Sequence, residues 1–547
     1  MRSHRLLSVA VALCLGAPAC SSDGGDDGDG AAEDAAPVAA ACAPKGDEKP
    51  AKALLRCAQT SVAYVSNPLG TGTGVLVELE GERYVLTNLH VVDPFATADV
   101  TFGPTTIEDV PVLGVDAGAD ITLLGPVDAE DRPAIPIGVG DEVEAGDDVY
   151  LVGYPGESGG TNATKPDDLE ATISRGIVSR TRKVAEFGQT FIQTDASIAG
   201  GQSGGPLFDE QGRLIGISGL GFADEFALVL SGADVKEAAG RIVAGDGDEY
   251  LALPLQPGDG ETSGSMLIED ATSSKMLYLP PADEERTLTF TMRGDGAVFS
   301  AMELVSGETL ALSGNALEIA QEVENQVAAR RGGTPEKLPD ATAMGIDTRV
   351  AARETSPGTF VMPIPADEGA QLVLERPMGS EPGTVTWESD LPLILATGER
   401  VTAPVELDEV VDRVFSPYDG PAELTIDLEA GTPIEIHARS AAGDAGFLLI
   451  SPKVTLDAVT FADPEVDGIE MVDDTDDGIY GLDARETFTV KETGTYRIRW
   501  FANDGITQLI RISIRSCEAD GCKGDTSGTS GSSGKGDAGK GDDESDG

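Results

Sequence analysis

Ser203 sits between glycines in the run Ala199-Gly200-Gly201-Gln202-Ser203-Gly204-Gly205-Pro206-Leu207, a turn that suits a nucleophile. A serine hydroxyl attacks poorly at neutral pH unless a base lies within hydrogen-bond reach and amide N–H groups face the oxyanion that develops. Gly201 serves the second need, because without a side chain its own N–H and that of Ser203 can point into one small space. The base is found by elimination among three histidines. His4 lies in an N-terminal segment that reads as an export signal, and His437 lies in an alternating run far downstream. His90 ends the β-rich run Tyr84-Val85-Leu86-Thr87-Asn88-Leu89-His90. Asp120 follows, just before the apolar Ile121-Thr122-Leu123-Leu124. The order His90, Asp120, Ser203 could carry out acyl transfer, with a serine nucleophile, a histidine base and a carboxylate that orients the base.

The elements that must position these groups are strands. A glycine-rich run, Gly70 to Leu76, precedes the one that ends at His90, and an apolar strand follows Asp120. Four blocks in this order resemble the trypsin-like serine proteases, most closely their high-temperature-requirement (Deg-type) branch. They are Gly72-Thr73-Gly74-Val75 with Leu86-Thr87-Asn88-Leu89-His90-Val91, then Ala119-Asp120-Ile121, then Val152-Gly153-Tyr154-Pro155-Gly156, then Gly176-Ile177-Val178-Ser179 through Gly216-Ile217. They span roughly residues 58 to 245.

The resemblance implies a two-barrel protease domain in which Ser203 attacks the scissile carbonyl, His90 takes and returns the proton, and Asp120 holds the imidazole tautomer. Gly201 and Ser203 would supply the oxyanion hole, each donor worth about 3 kcal/mol in related enzymes. The residue six before the nucleophile, Ser197, would form the base of the specificity pocket. Ile198 and the strand Ile217-Ser218-Gly219-Leu220-Gly221 would form its walls. With no acid at the base, small or medium aliphatic side chains are the expected occupants; alternatively, Ile198 and Leu220 simply fill the second barrel.

The chain has 547 residues, too long for one core. Residues 1–19, with Arg2, Arg5 and an apolar run from Leu6 to Gly16, read as an export signal. Two processing outcomes stay open: lipidation of Cys20, or ordinary cleavage after Ala17-Pro18-Ala19. Lipidation of Cys20 leaves Cys42, Cys57, Cys517 and Cys522, which pair evenly as Cys42–Cys57 and Cys517–Cys522. Ser21 after that cysteine favours the outer membrane by the rule known for such lipoproteins. Residues 20–41 are acidic and glycine- and alanine-rich, which predicts a disordered tether, and 517–547 read as a disordered tail. The formal net charge of −57, from 95 acidic and 38 basic residues, argues against nucleic-acid partners and anionic membranes. The expected partners are protein or peptide substrates, with membrane contact only through the lipid. No cofactor and no metal are expected.

Past Gly245-Asp246-Gly247-Asp248, which reads as a linker, alternating strands with Gly, Pro and Asp turns take over. An internal repeat runs through them. Pro280 and Pro417 are 137 residues apart, Gly358 and Gly494 are 136 apart, and Gln371 and Gln508 are 137 apart. Two β-sandwiches at 251–400 and 401–516 are therefore expected, after a protease domain at 42–245, in an all-β architecture. The second sandwich is similar to bacterial pre-peptidase C-terminal domains. In the first, Ala316 to Arg331 has helical spacing and predicts an inserted amphipathic helix. Gly219-Leu220-Gly221-Phe222 spells a PDZ carboxylate-binding loop but falls inside the protease blocks. Asp473 to Gly478 is similar to a calcium loop, yet its twelfth position is Ala484 where a glutamate is required. The reading is an envelope-tethered serine endopeptidase. Its rival is an envelope-anchored binding protein whose sandwiches recognise a partner and whose barrels are an inactive scaffold.

Overall fold

The computed structural model describes residues 45–517 except 68–69, 139–142, 155–170, 185–186, 223–225, 249–259, 269–274, 295–298, 305–309, 313–352, 357, 367–368, 376–382, 396–400, 417–421, 442, 455–467, 473–482 and 503–506. The signal, the tether, Cys20, Cys42, Cys522, the helix expected at 316–331, the acidic loop at 473–478 and the tail past Cys517 lie outside the described residues.

A helix, α1 (Pro50–Ser61), leads into six strands. These are β1 (Val62–Asn67), β2 (Gly70–Leu79), β3 (Glu82–Thr87), β4 (Thr97–Phe102), β5 (Thr105–Asp116) and β6 (Ile121–Leu124). They close into a barrel in the order β1-β2-β3-β6-β5-β4. The short helix α2 (Leu89–Val92) bridges β3 and β4. A second barrel, in the order β10-β11-β12-β9-β8-β7, uses β7 (Asp148–Gly153), β8 (Thr172–Val184), β9 (Gln189–Thr194), β10 (Pro206–Asp209), β11 (Leu214–Phe222) and β12 (Phe226–Ser231). Both faces of the inner strands are buried, which is why they read as continuous apolar runs. In β7, Val149 and Leu151 join one apolar cluster while Tyr150 and Val152 join another. The second of these also holds Val75, Leu86 and Ile121 of the first barrel, so one core binds the two barrels together.

Helix α3 (Gly232–Ala244) follows β12. Ser231 caps its start by accepting the Asp234 amide, and Gly245 ends it in the left-handed conformation at φ 79°. The stretch expected as a linker thus opens as a helix cap and stays docked through Asp248. Asp248 accepts the Ala117 amide at 2.7 Å and donates its own N–H to the Val115 carbonyl at 2.9 Å. Glycine and aspartate suit caps and bridges as well as linkers, and the spacing does not tell these uses apart.

Among the described residues, strands are the regular elements of the C-terminal half. Residues 261–395 form a nine-stranded sheet that folds over a core containing Leu277, Phe290, Phe360, Leu372 and Trp387. The bend lies along the long strand Gly383–Leu395, which pairs with Glu261–Ile268 and Arg286–Gly294 over most of its length and with Lys275–Leu279 at its end. Residues 401–516 form a five-stranded and a four-stranded sheet around Leu424, Ile436, Phe447, Ile498 and Ile512. The two units pair their strands in the same register. Tyr278 opposes Gln371 as Phe415 opposes Gln508, and Leu288 opposes Met362 as Leu424 opposes Ile498. The repeat in sequence is thus a repeat in hydrogen bonding.

Cys57 falls within α1. Cys517 lies just past the last strand, and the pairings Cys42–Cys57 and Cys517–Cys522 stay proposals.

Candidate active site

The loop after β5 turns sharply so that Asp120 faces inward. Asp116 accepts the Ala119 amide at 3.0 Å, and Asp120 takes a positive φ of 53° that few side chains adopt. Asp120 is buried at 4 % exposure, and its Oδ2 lies 2.7 Å from His90 Nδ1. Its Oδ1 accepts the His90 backbone N–H at 3.1 Å. Asn88, which opens α2, donates from Nδ2 to the Asp120 carbonyl at 2.8 Å, and the Leu89 amide donates to the same oxygen at 3.2 Å. The two segments are latched by main chain and side chain together. An imidazole held through Nδ1 in this way presents Nε2 as the proton acceptor.

Ser203 arrives from the other barrel on a turn between β9 and β10. Gly201 at φ 87° and Gly204 at φ 80° make the turn possible. A Cβ on Gly204 would stand 2.0 Å from the Thr73 carbonyl and 3.2 Å from the Asn88 amide nitrogen, so the Ser203 turn abuts the His90 segment closely. A Cβ on Gly219 would sit 3.6 Å from Asp120 Oδ2. Among the described residues, no partner takes the N–H groups of Gly201 or Ser203, as an oxyanion site requires.

Thr73, on β2 and fully buried, ties this turn to the first barrel. Its N–H donates to the Ser203 carbonyl at 2.8 Å, and its hydroxyl donates to the Gly201 carbonyl at 2.8 Å. The same hydroxyl accepts the Tyr154 amide at 2.9 Å, and the Thr73 carbonyl accepts the Thr87 hydroxyl at 2.8 Å. Neither Thr73 nor Asn88 is singled out by the sequence reading as a site residue. The available signal is a polar, β-branched residue flanked by Gly72 and Gly74, where added Cβ atoms would lie 2.5 Å from Val91 and Val85.

The expected pocket residues are placed less uniformly. Ser197 is exposed, and its carbonyl accepts the Ser174 hydroxyl at 2.7 Å. Ile198 is half-buried against the apolar cluster of the second barrel, so at least part of its side chain fills that barrel. Ser218 corrects the wall reading: it is fully buried, and its hydroxyl donates to the Gln202 carbonyl at 2.7 Å, with the Gly205 carbonyl a second acceptor 3.1 Å away. It braces the Ser203 turn from within the barrel. Gly219 and Leu220 lie on β11, within the barrel. Tyr154 is buried beside the turn, where desolvation pushes its phenol up to about 12.

Two closed barrels that share a core, with a His–Asp pair on one and a glycine-framed serine on the other, make up the fold of the trypsin-like class. The family model described as Trypsin-like peptidase domain matches residues 72–217, and this part of the chain is such a domain, with Deg/HtrA proteins among its relatives. A putative serine protease HhoB from Synechocystis is 35 % identical over 168 residues, covering 28 % of this chain and 37 % of that protein. Serine endoprotease DegS from Salmonella typhimurium is 30 % identical over 210 residues, covering 35 % of this chain and 55 % of that protein. The chain thus spans about a third to a half of the length of these relatives. The crystal structure of a serine endoprotease from Yersinia pestis, at 27 % identity, covers 34 % of this chain and 65 % of that chain with a TM-score of 0.29.

Proposed function

We propose that the protein is a serine endopeptidase acting on protein or peptide substrates. The observation that carries this reading is the contact of 2.7 Å between His90 Nδ1 and Asp120 Oδ2, in a segment abutted by the Ser203 turn. Ser203 Oγ attacks the substrate carbonyl carbon and gives its proton to His90 Nε2, while the Gly201 and Ser203 N–H groups receive the oxyanion. Asp120 accepts the Nδ1 proton in a hydrogen bond and stabilises the imidazolium that forms. His90 then hands the proton to the leaving amine, the C–N bond breaks, and an acyl-serine remains. Water, deprotonated by His90, attacks the ester carbonyl; the C–Oγ bond breaks, His90 returns the proton to Ser203 Oγ, and the carboxylic acid product leaves. A fluorophosphonate probe should label Ser203 in the wild-type chain and leave a His90→Ala variant at background; equal labelling of both would refute the mechanism.

The pocket offers no acidic base, with Ser197 and Ile198 at the positions that set P1 preference in the family it resembles. Cleavage after small or medium aliphatic residues follows, because a buried lysine or arginine would lack a counter-charge.

The location proposed is the cell envelope. The leader composition supports export, and several relatives are described as probable periplasmic serine endoproteases. Among the described residues no helix is long and apolar enough to cross a membrane. Attachment would come from Cys20, since two buried acyl chains suffice for stable anchoring. Absence of labelled palmitate from the wild-type protein would remove the anchor without touching the protease reading.

A further inference from the structure

Three residues past His90, Asp93 closes α2, its N–H donating to the Leu89 carbonyl at 3.0 Å. Its carboxylate is buried at 3 % exposure, and it is held from the far end of the chain. Ser416 donates to Asp93 Oδ2 at 2.6 Å, and Thr507 donates to the same oxygen. Both hydroxyls belong to the second sandwich, and both residues are buried. A carboxylate taken out of water is costly unless hydrogen bonds replace its hydration. These donors are therefore part of what keeps Asp93, and the turn it ends, in place.

The first sandwich grips the same segment two residues further on. Phe95, 1 % exposed, meets Tyr278 edge to face at 5.8 Å, and Ile394 completes the small apolar cluster. Tyr278 and Phe415, the neighbour of Ser416, are equivalent positions of the repeat, so one strand end of the sandwich is applied twice to residues 93–95. The Asp120 side is touched as well. Leu509 and Val414 pack against the first-barrel core, and Leu509 Cδ2 lies 3.5 Å from where a Cβ on Gly118 would stand.

We propose that the two C-terminal sandwiches form a clamp on the triad-bearing segments, with Asp93 and Phe95 as positioning residues that act through His90. This rests on the serine-protease reading. Its consequence is that the barrels are not catalytically self-sufficient, and a partner that moved either sandwich would change turnover.

The test uses the full chain. Ser416→Ala/Thr507→Val removes both hydroxyls, and Ser416→Thr/Thr507→Ser keeps them. For hydrolysis of a short peptide, kcat of the first pair should fall about tenfold to a hundredfold with KM within about twofold of wild type. The conservative pair should keep kcat within about twofold. A purely structural contact would lower the melting temperature and leave kcat unchanged below it, and that result would overturn the clamp. If the double variant does not purify folded, Ser416→Ala and Thr507→Val are measured singly. Each should lower kcat about threefold to tenfold, and wild-type kcat in both would equally overturn it. A wild-type protein inert to fluorophosphonate would instead refute the protease reading on which the clamp rests.

Discussion

The amide of Thr73 in the first barrel donates to the carbonyl of Ser203 in the second at 2.8 Å. This bond crosses the seam between the barrels at the place where the proposed nucleophile must meet its base. The Thr73 hydroxyl adds bonds to Gly201 and Tyr154, so one side chain fixes the turn that carries the proposed nucleophile and the N–H groups proposed to receive the oxyanion.

Thr73→Val keeps the shape and the backbone bond but removes the hydroxyl. Turnover of a peptide substrate should fall about a hundredfold through misplacement of the turn. Stability should fall by about 1–3 kcal/mol, because the Tyr154 amide loses its buried acceptor. Thr73→Ser should restore most of the rate. Wild-type kcat in Thr73→Val would show that the turn holds itself.

Tyr154 provides a pH signature. Its phenol is raised from about 10 unfolded to about 12 folded by burial. A raised folded-state value means that the stabilisation is fully present below pH 10 and is lost as pH rises toward 12. Across that window the unfolded chain ionises first, and stability should fall by up to about 1.4 kcal/mol per pH unit. Urea melts of wild type and Tyr154→Phe between pH 9 and pH 12 would check this. The variant should lose less stability over the window, and parallel curves would contradict the assignment.

The pocket reading predicts the products of digestion. A peptide library should be cut after Val, Ala, Ile or Leu, with Lys and Arg disfavoured by at least about tenfold, since an unpaired buried cation costs more than a lost methylene. Dominant cleavage after basic residues would sink it, and would direct attention to exposed Asp195, whose Oδ1 accepts the Ile177 amide at 2.7 Å.

The candidate site is legible in the sequence to the extent that it depends on local backbone chemistry. Gly201 and Gly204 mark a turn that other residues enter only under strain, and His90 and Asp120 stand at the ends of apolar strands. The repeat is also legible, because equal spacing in sequence became equal register in the sheets. The bonds from Asp93 to Ser416 and Thr507 are not legible, since they join positions separated by 323 and 414 residues and a lone hydroxyl carries no periodic signal. Ser218 is misread for a related reason. A small polar residue on a wall strand can face a substrate or turn inward to two carbonyls, and only packing decides between them.

Hydrolysis of an unfolded protein by the Ser203→Ala variant separates a working nucleophile from a bystander serine. The change removes one oxygen from a partly buried turn and leaves Thr73, Gly204 and Ser218 their backbone partners, so the melting temperature should stay within a few degrees of wild type. Casein digestion by the folded variant should fall by about a million-fold, to background. Digestion by Ser203→Ala at the wild-type rate would contradict the nucleophile reading.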